Sequence, residues 1–205
     1  MRIYLVTDER LLLGKDLYRT VEAAVKGGVS MVQLREKESS TREFVERAIR
    51  LKEVLTPYGV PLIINDRVDV ALAANADGVH VGQSDMPYEM VKRLLPEGKI
   101  IGLSVESPEQ VLEANNYDLD YVAASPVFST TTKTNTIVEW GLDGLRWIRS
   151  VSRHPLVAIG GIHSNNVASI CKAGADSVAV ISAIVSADDP EHAARELLEK
   201  SGEPH

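Results

Sequence analysis

Short runs of apolar, often β-branched residues alternate along the chain with longer stretches in which apolar residues recur at helical spacing. The short runs predict strands, and the longer stretches predict helices. Eight strands are predicted, at Ile3–Thr7, Val29–Leu34, Pro61–Asn65, Gly78–Val81, Ile100–Ser104, Tyr121–Ala124, Leu156–Ile159 and Ser177–Ile181. Eight helices are predicted to alternate with them, at Leu17–Lys26, Thr41–Leu55, Val68–Ala74, Pro87–Leu94, Pro108–Ala114, Leu142–Val151, Asn165–Ala173 and Pro190–Glu199.

Several predicted strands are almost entirely apolar, as in VPLII at 60–64 and PLVAI at 155–159. Parallel strands covered on both faces have this composition, whereas half-exposed antiparallel strands alternate. Ser39 or Ser40, and Ser107, are placed to cap the second and fifth helices. Eight strand–helix units with a repeat of about 25 residues predict an α/β fold, a single-domain (β/α)₈ TIM barrel over residues 1–205. The alternative is an open flavodoxin-like or Rossmann sheet, but no G-x-G-x-x-G follows the first strand.

Composition narrows the class of partner. The chain has 205 residues and a net charge of -7, and its Lys and Arg residues are scattered, so nucleic acid is not an expected partner. No apolar run approaches the roughly 18 residues of a membrane span, and the start MRIYLVTDER does not resemble a signal peptide. The single Cys171 forms no internal disulfide and is expected to be helix packing. We therefore expect a cytoplasmic protein without a membrane partner, and the sequence indicates no oligomeric state.

Many polar residues lie just after the predicted strands. In a (β/α)₈ barrel, the active site is at the carboxyl ends of the strands. Gly160-Gly161 follows the seventh strand and Ile181-Ser182 follows the eighth. Barrels commonly hold a phosphate group there, because glycine lets the backbone approach and N–H groups face the anion. This pattern predicts a phosphomonoester site, and the alternative is that the two glycines only form a tight turn.

Charged residues at the same end predict a second anion. Arg35, Lys37 and Lys133 lie after strands two and six, and a cluster of cations is costly unless an anion neutralises it. Asp66 and Asp85 follow strands three and four, and paired carboxylates suit Mg²⁺ that also contacts substrate phosphates. Together they predict a magnesium diphosphate site. The alternative is that each aspartate only caps the helix that follows it.

Two histidines are weaker candidates. His80 ends the fourth strand, where it would contact a ligand or simply pack in the structure. His163 follows the Gly-Gly turn and is interpreted as a loop residue. No Ser-His-Asp or Cys-His arrangement is visible, so nucleophilic catalysis by a triad is not predicted.

Distinctive motifs occur along nearly the whole chain. They are YLVTD at 4–8, VQLREK at 32–37, PLIINDRVDVAL at 61–72, DGVHVGQSDMP at 77–87, IGLS at 101–104, PVFSTTTK at 126–133, AIGGI at 158–162 and AGADSVAVISAI at 173–184. In their order and spacing these motifs resemble the thiamine phosphate synthase family, also called thiamine phosphate pyrophosphorylase. The resemblance implies a (β/α)₈ barrel that joins hydroxymethylpyrimidine diphosphate to thiazole phosphate, or its carboxylated form, giving thiamine phosphate and pyrophosphate.

The resemblance also implies a role for individual residues. Mg²⁺ would be bound by Asp66 and Asp85. The pyrimidine diphosphate would be bound by Gln33, Leu34, Arg35, Glu36, Lys37, Asn65, Ser104 and Lys133, and the thiazole phosphate by Thr130, Thr131, Thr132, Gly161, Ile181 and Ser182. Among these, Arg35, Lys37, Ser104 and Lys133 would be catalytic, because they stabilise the charge of a diphosphate that leaves before the thiazole nitrogen bonds to the pyrimidine methyl cation.

The chain departs from the family at Ala123-Ala124-Ser125-Pro126, where a G-x-G-P is usual, and at Ser129, where proline is usual. Extra side-chain atoms there are expected to narrow the floor under the pyrimidine. The related thiazole tautomerase is the nearest alternative function, although that relative has a histidine where this chain has Glu106. A non-catalytic barrel that binds a phosphate ligand is the other alternative.

Overall fold

The computed structural model describes residues 2–129 and 139–202. Eight parallel strands form a closed barrel in chain order, with the first strand paired to the eighth. The strands are β1 Arg2–Val6, β2 Val29–Leu34, β3 Leu62–Asn65, β4 Gly78–Val81, β5 Ile100–Val105, β6 Tyr121–Ala124, β7 Leu156–Ile159 and β8 Ser177–Val180. The predicted fold class, a (β/α)₈ barrel, is confirmed, and the open sheet is excluded by the β1–β8 pairing.

Helices follow the strands and cover the outside of the barrel. They are α1 Leu17–Lys26, α2 Thr41–Leu55, α3 Val68–Ala73, α4 Tyr88–Leu94, α5 Pro108–Ala114, α6 Gly141–Val151, α7 Val167–Lys172, α8 Ser182–Val185 and α9 Pro190–Lys200. Their ends agree with the predicted ends to within about two residues, which is the usual uncertainty of helix boundaries. None of the helices in residues 2–129 and 139–202 has both the length and the apolar composition that would span a bilayer.

Three short elements were not predicted: α8 and the 3₁₀ helices Glu9–Leu12 and Thr56–Tyr58. Each has only three or four residues, so no helical period is visible in the sequence. The predicted loop from Ser129 to Glu139 lies largely in residues 130–138, outside the described part of the chain.

The predicted helix caps are present. The Ser40 hydroxyl accepts a hydrogen bond from the Glu43 backbone N–H, and the Glu43 carboxylate accepts one from the Ser40 N–H, so both groups satisfy free amides at the start of α2. Ser107 caps α5, with Pro108 in its first turn. Cys171 packs against the core within α7, and its thiol donates to the Val167 carbonyl, as a structural cysteine would.

The apolar residues form two layers. The larger one lies between strands and helices, where α2 contributes Phe44, Ala48, Leu51 and Leu55. The smaller layer fills the barrel interior with side chains from alternate strand positions, Tyr4, Val6, Ile63, Tyr121, Ala123, Val157 and Ala179. Two tyrosines inside the barrel place hydroxyl groups under its open end, which gives that end a polar floor.

Candidate active site

A cavity of about 800 Å³ opens at the carboxyl ends of the strands. All eight strands or the loops after them contribute to its walls. Most of the predicted site residues that the structure describes meet there: Gln33, Arg35, Lys37, Asn65, Asp66, Asp85, Ser104, Gly161, Ile181 and Ser182. The volume is within the range of small-molecule sites, and the lining combines apolar strand residues with charged loop residues.

Two predicted binding residues do not line this cavity. Side chains alternate along β2, so Gln33 points into the barrel while Leu34 is fully buried among the strands and helices outside it. The carboxylate of Glu36 is 2.8 Å from both Arg47 Nη1 and Ser39 Oγ, and its side chain is only 3% exposed. The structure therefore gives these two side chains structural contacts instead of a place in the cavity. The predicted residues Thr130, Thr131, Thr132 and Lys133 lie outside the described residues.

The cations of the cavity already have carboxylate partners. Asp8 Oδ2 is 2.7 Å from Arg35 Nη1, and the Arg35 backbone N–H donates to Thr7 Oγ1. Lys37 Nζ is 2.6 Å from Asp66 Oδ2. Arg35 and Lys37 thus do not require a bound anion to neutralise them, because the fold supplies Asp8 and Asp66 as partners. Asp8 was not predicted as a site residue from the sequence, although it lies two residues after the end of β1, at the same end of the barrel.

Asp66 and Asp85 form a carboxylate pair. Burial, and then the nearby Asp66, raise the pKa of Asp85, whereas a hydrogen bond from the Gly82 N–H to Asp85 Oδ2, 2.7 Å long, lowers it. Asp66 has a φ of 62°, in the left-handed region that non-glycine residues seldom adopt. Such strain is often found at functional sites, where surrounding contacts hold it.

Neither aspartate caps a helix, so the structural alternative for this pair is wrong. The N-cap residue of α3 is Arg67 and that of α4 is Pro87, and neither makes a side-chain capping hydrogen bond. Asp66 contacts Lys37, and Asp85 closes a turn on Gly82. Both aspartates line the cavity, so their carboxylates are available to a ligand there.

The carboxylate pair fits a magnesium ion that keeps water ligands. In residues 2–129 and 139–202, no group of three or more His, Cys, Asp or Glu side chains could hold a metal by itself. Mg²⁺ commonly uses one or two protein carboxylates and completes its octahedron with water and substrate phosphate. Burial and the neighbouring Asp66 carboxylate raise the pKa of Asp85, so a negative charge on Asp85 is disfavoured, and a divalent cation would relieve that cost.

The opposite wall is formed by Gly160, Gly161 and the start of α8. Both glycines have positive φ, 105° and 65°. A Cβ at Gly161 would lie 2.8 Å from the Ser129 carbonyl oxygen, and one at Gly160 would lie 2.6 Å from Pro126 Cβ. The two glycines thus allow the loop after β6 to pack closely against the end of β7. This close packing explains why glycine is needed at both positions. Because glycine has no side chain, the backbone of Gly160 and Gly161 lines the cavity beside Ile181 and Ser182.

The floor of the cavity contains tyrosines that sequence analysis missed. Tyr4 and His80 line it from β1 and β4. Tyr121, at an inward position of β6, packs inside the barrel, and His80 stacks on its ring with centroids 5.5 Å apart. Their signal in the sequence is a polar group at an inward strand position, which is visible only once the facing of each strand is known. Ala123 and Ser125, the residues expected to narrow the floor under the pyrimidine, also line the cavity.

Fold and site together define a class: a (β/α)₈ barrel enzyme whose mouth combines a carboxylate pair, two cations and a backbone-lined wall, the features of barrels that act on phosphorylated small molecules. Comparison with known proteins identifies the family. The family model described as thiamine monophosphate synthase matches residues 3–184. The chain belongs to the thiamine monophosphate synthase family, as the sequence motifs indicated.

Individual relatives agree with this assignment over nearly full length. The thiamine-phosphate synthase of Albidiferax ferrireducens is 52% identical over 197 residues, which cover 96% of this chain and 90% of the relative. That of Vibrio campbellii is 50% identical and covers 96% of both chains. The solved thiamine phosphate pyrophosphorylase from Pyrococcus furiosus is 40% identical, with a TM-score of 0.89 over 98% of this chain and 95% of that one.

Proposed function

We propose that the protein is a thiamine phosphate synthase. It joins hydroxymethylpyrimidine diphosphate to thiazole phosphate and releases pyrophosphate; with the carboxylated thiazole phosphate, the carboxyl group is also lost as CO2. The observation that carries the proposal is one cavity with two unlike anion-binding walls: Arg35, Lys37 and the Asp66–Asp85 pair on one side, and Gly161 with Ser182 on the other. Two phosphorylated substrates that must react with each other need such an arrangement, because each is held by its own anionic end.

In this reaction the bond between the pyrimidine methylene carbon and the diphosphate oxygen breaks, and the diphosphate leaves with the electron pair. The thiazole nitrogen then donates its lone pair to the methylene cation, forming the new carbon–nitrogen bond. This nitrogen has no proton to lose, so the step needs no protein base. That agrees with a cavity whose ionisable lining is dominated by groups for binding charge.

The chain's own residues would act on the departing charge. Arg35 and Lys37 reach the cavity from the β2 loop, and the Ser104 hydroxyl lies at the end of β5. Lys133 is proposed as a further catalytic cation on the basis of the family motif. When bound, Mg²⁺ would supply electrostatic stabilisation to the diphosphate oxygens, and Asp66 and Asp85 would hold it. Holding both substrates in one cavity would contribute the proximity that a bimolecular reaction otherwise lacks.

For Arg35 and Lys37 to bind the diphosphate, each must share or leave the carboxylate with which it is paired. Lys37 is paired to Asp66, and its side chain is 52% exposed, so its ammonium group could turn toward a diphosphate if Asp66 were engaged in holding Mg²⁺. Arg35 is held more firmly, because Asp8 fixes its guanidinium and both side chains are mostly buried. We also propose that the protein works in a reducing cytoplasm, which agrees with a single, structurally packed cysteine.

The test is to mix the purified protein with the two substrates, with and without Mg²⁺, and to measure thiamine phosphate as its fluorescent oxidation product. We expect magnesium-dependent product, reduced by orders of magnitude in Lys37→Ala. Lys92→Ala is the matched control, because Lys92 is an exposed lysine in a surface ion pair with Asp118. Folded protein that gives no product but isomerises the carboxylated thiazole phosphate would instead support the tautomerase function.

A further inference from the structure

A chain of five polar side chains crosses the cavity floor. Gln33 Nε2 is 2.6 Å from the Tyr4 hydroxyl, which is 2.9 Å from the Tyr121 hydroxyl. The Tyr121 hydroxyl is 3.0 Å from His80 Nδ1, and His80 Nε2 is 2.9 Å from Ser104 Oγ. All five residues are buried, and they come from five different strands, β1, β2, β4, β5 and β6. We call this chain the floor relay.

The ends of the floor relay are two residues predicted to bind substrate, Gln33 and Ser104, which are otherwise on separate sides of the barrel. Its three central members, Tyr4, Tyr121 and His80, have no role in the proposed reaction. Buried polar groups of this kind are expensive unless every member is satisfied, so a fully bonded chain fixes the position of each side chain. Among the described residues, no buried side-chain nitrogen or oxygen lacks a partner.

Each hydroxyl has one proton to donate, so if each of the four contacts holds one proton, the hydrogen bonds of the relay run in one of two directions. In the direction set by the Gln33 amide, Gln33 donates to Tyr4, Tyr4 to Tyr121, and Tyr121 to His80 Nδ1. The imidazole then carries its proton on Nε2 and donates it to Ser104 Oγ. The Ser104 hydroxyl is left with a proton that it can donate only away from His80. In the opposite direction Ser104 would donate to His80 and present lone pairs to the ligand.

Burial keeps the tyrosine members in the hydroxyl form that the relay needs. Desolvation raises the pKa of both Tyr4 and Tyr121 above the ordinary tyrosine value. The Tyr121 ring has space to lie over β5 because its neighbour in register is Gly102: a Cβ there would be 2.1 Å from Tyr121 Cζ. The IGLS motif thus supplies both the glycine that admits the Tyr121 ring and the serine at the end of the relay.

We propose that Tyr121 and His80 are positioning residues that commit the Ser104 hydroxyl to donate its hydrogen bond into the cavity. This inference rests on the proposed function, because a diphosphate offers only acceptors to Ser104 and a serine oriented the other way would oppose it. Gln33 and Tyr4, at the opposite end of the floor relay from Ser104, set the direction of its hydrogen bonds. A donor aimed where charge develops acts mainly on the transition state, so loss of the relay should lower kcat more than it raises KM.

The test is a double-mutant cycle on thiamine phosphate formation with Tyr121→Phe and Ser104→Ala. If Tyr121 acts through Ser104, Tyr121→Phe lowers kcat at least tenfold in the wild type and less than twofold in the Ser104→Ala background. Tyr4→Phe, which leaves the Tyr121–His80 contact in place, should give a smaller loss. Tyr58→Phe is the matched control, because the Tyr58 hydroxyl binds Glu22 on the surface, and it should leave kcat unchanged.

Equal losses in both backgrounds would overturn the inference and reduce the relay to a packing feature. A wild type that makes no thiamine phosphate would instead refute the proposed function, so the two failures are distinguishable. A second measurement does not depend on activity: the ¹⁵N shifts of the His80 ring in histidine-labelled protein, assigned by their absence in His80→Gln. We expect the Nε2–H tautomer in the wild type. A ring protonated on Nδ1 would show that the relay runs the opposite way and would overturn the assignment.

Discussion

Replacing Asp85 by asparagine should make the metal-free protein more stable while abolishing its response to magnesium. Asparagine has nearly the same shape, and its Oδ1 can still accept the hydrogen bond from the Gly82 N–H that is 2.7 Å long in the wild type. What is removed is one negative charge beside Asp66, in a site where burial and that neighbour raise the pKa of Asp85. The substitution therefore isolates the electrostatic effect.

The expected gain is modest. Two like unit charges about 4 Å apart repel each other by about 4 kcal/mol at an effective dielectric constant near 20. Lys37 Nζ, 2.6 Å from Asp66 Oδ2, offsets much of this repulsion, and solvent reaches the pair. We therefore expect Asp85→Asn to add on the order of 1 kcal/mol, which raises Tm by about 2 to 4 °C in a protein of this size.

The effect should depend on pH in a defined direction. Because the pKa of Asp85 is raised in the folded state, the native protein holds this proton more tightly than the unfolded chain does. The stability that neutral Asp85 contributes to the wild type is therefore lost as the pH rises from the pKa of Asp85 in the unfolded chain to its higher pKa in the folded protein. The advantage of Asp85→Asn should appear over that interval, stay constant above it, and vanish below the unfolded pKa, where both side chains are neutral.

The assay is thermal unfolding in a chelator, and then with Mg²⁺ and inorganic pyrophosphate. At a ligand concentration about 100 times Kd, binding adds about 2.7 kcal/mol, so the wild-type Tm should rise by about 5 to 10 °C. Asp85→Asn should show little rise. Asp118→Asn is the control, because Asp118 lies in a surface ion pair with Lys92 and should respond like wild type. A metal-free Asp85→Asn protein that melts below wild type at neutral pH would refute the repulsion argument.

Three further substitutions test other contacts. Asp8→Ala should lower kcat/KM for the pyrimidine diphosphate about tenfold, because it releases Arg35 from its carboxylate partner. Glu9→Ala is the control and should leave kcat/KM unchanged, because the Glu9 carboxylate binds Arg47. Steady-state kinetics of the two variants makes the comparison. Lys133→Ala should lower kcat by orders of magnitude with an unchanged Tm, and near-normal turnover would contradict its catalytic role. Ser40→Ala removes the capping box of α2 and should reduce the unfolding free energy by about 1 kcal/mol in urea titration, without changing kcat.

The sequence alone determined the barrel. Its strands are short and apolar on both faces because helices cover the outside and side chains fill the inside, and this composition is legible without coordinates. Helix ends were predictable where a side chain performs the capping, as at Ser40 and Ser107. Most candidate site residues also followed, because in a barrel the carboxyl end of each strand leads to one shared mouth. One-turn elements such as Ser182–Val185 gave no periodic signal.

Only the tertiary structure decided which way each side chain faces and what it contacts. Leu34 and Glu36 lie within the same motif as Gln33 and Arg35, yet strand alternation and the contact with Arg47 direct them away from the cavity. The carboxylate partners of the cations come from loops that are distant in sequence. The left-handed backbone of Asp66 likewise has no signal in the sequence. The floor relay is the clearest case: its hydrogen bonds join residues as many as 117 positions apart, and closing the barrel is what brings them within reach.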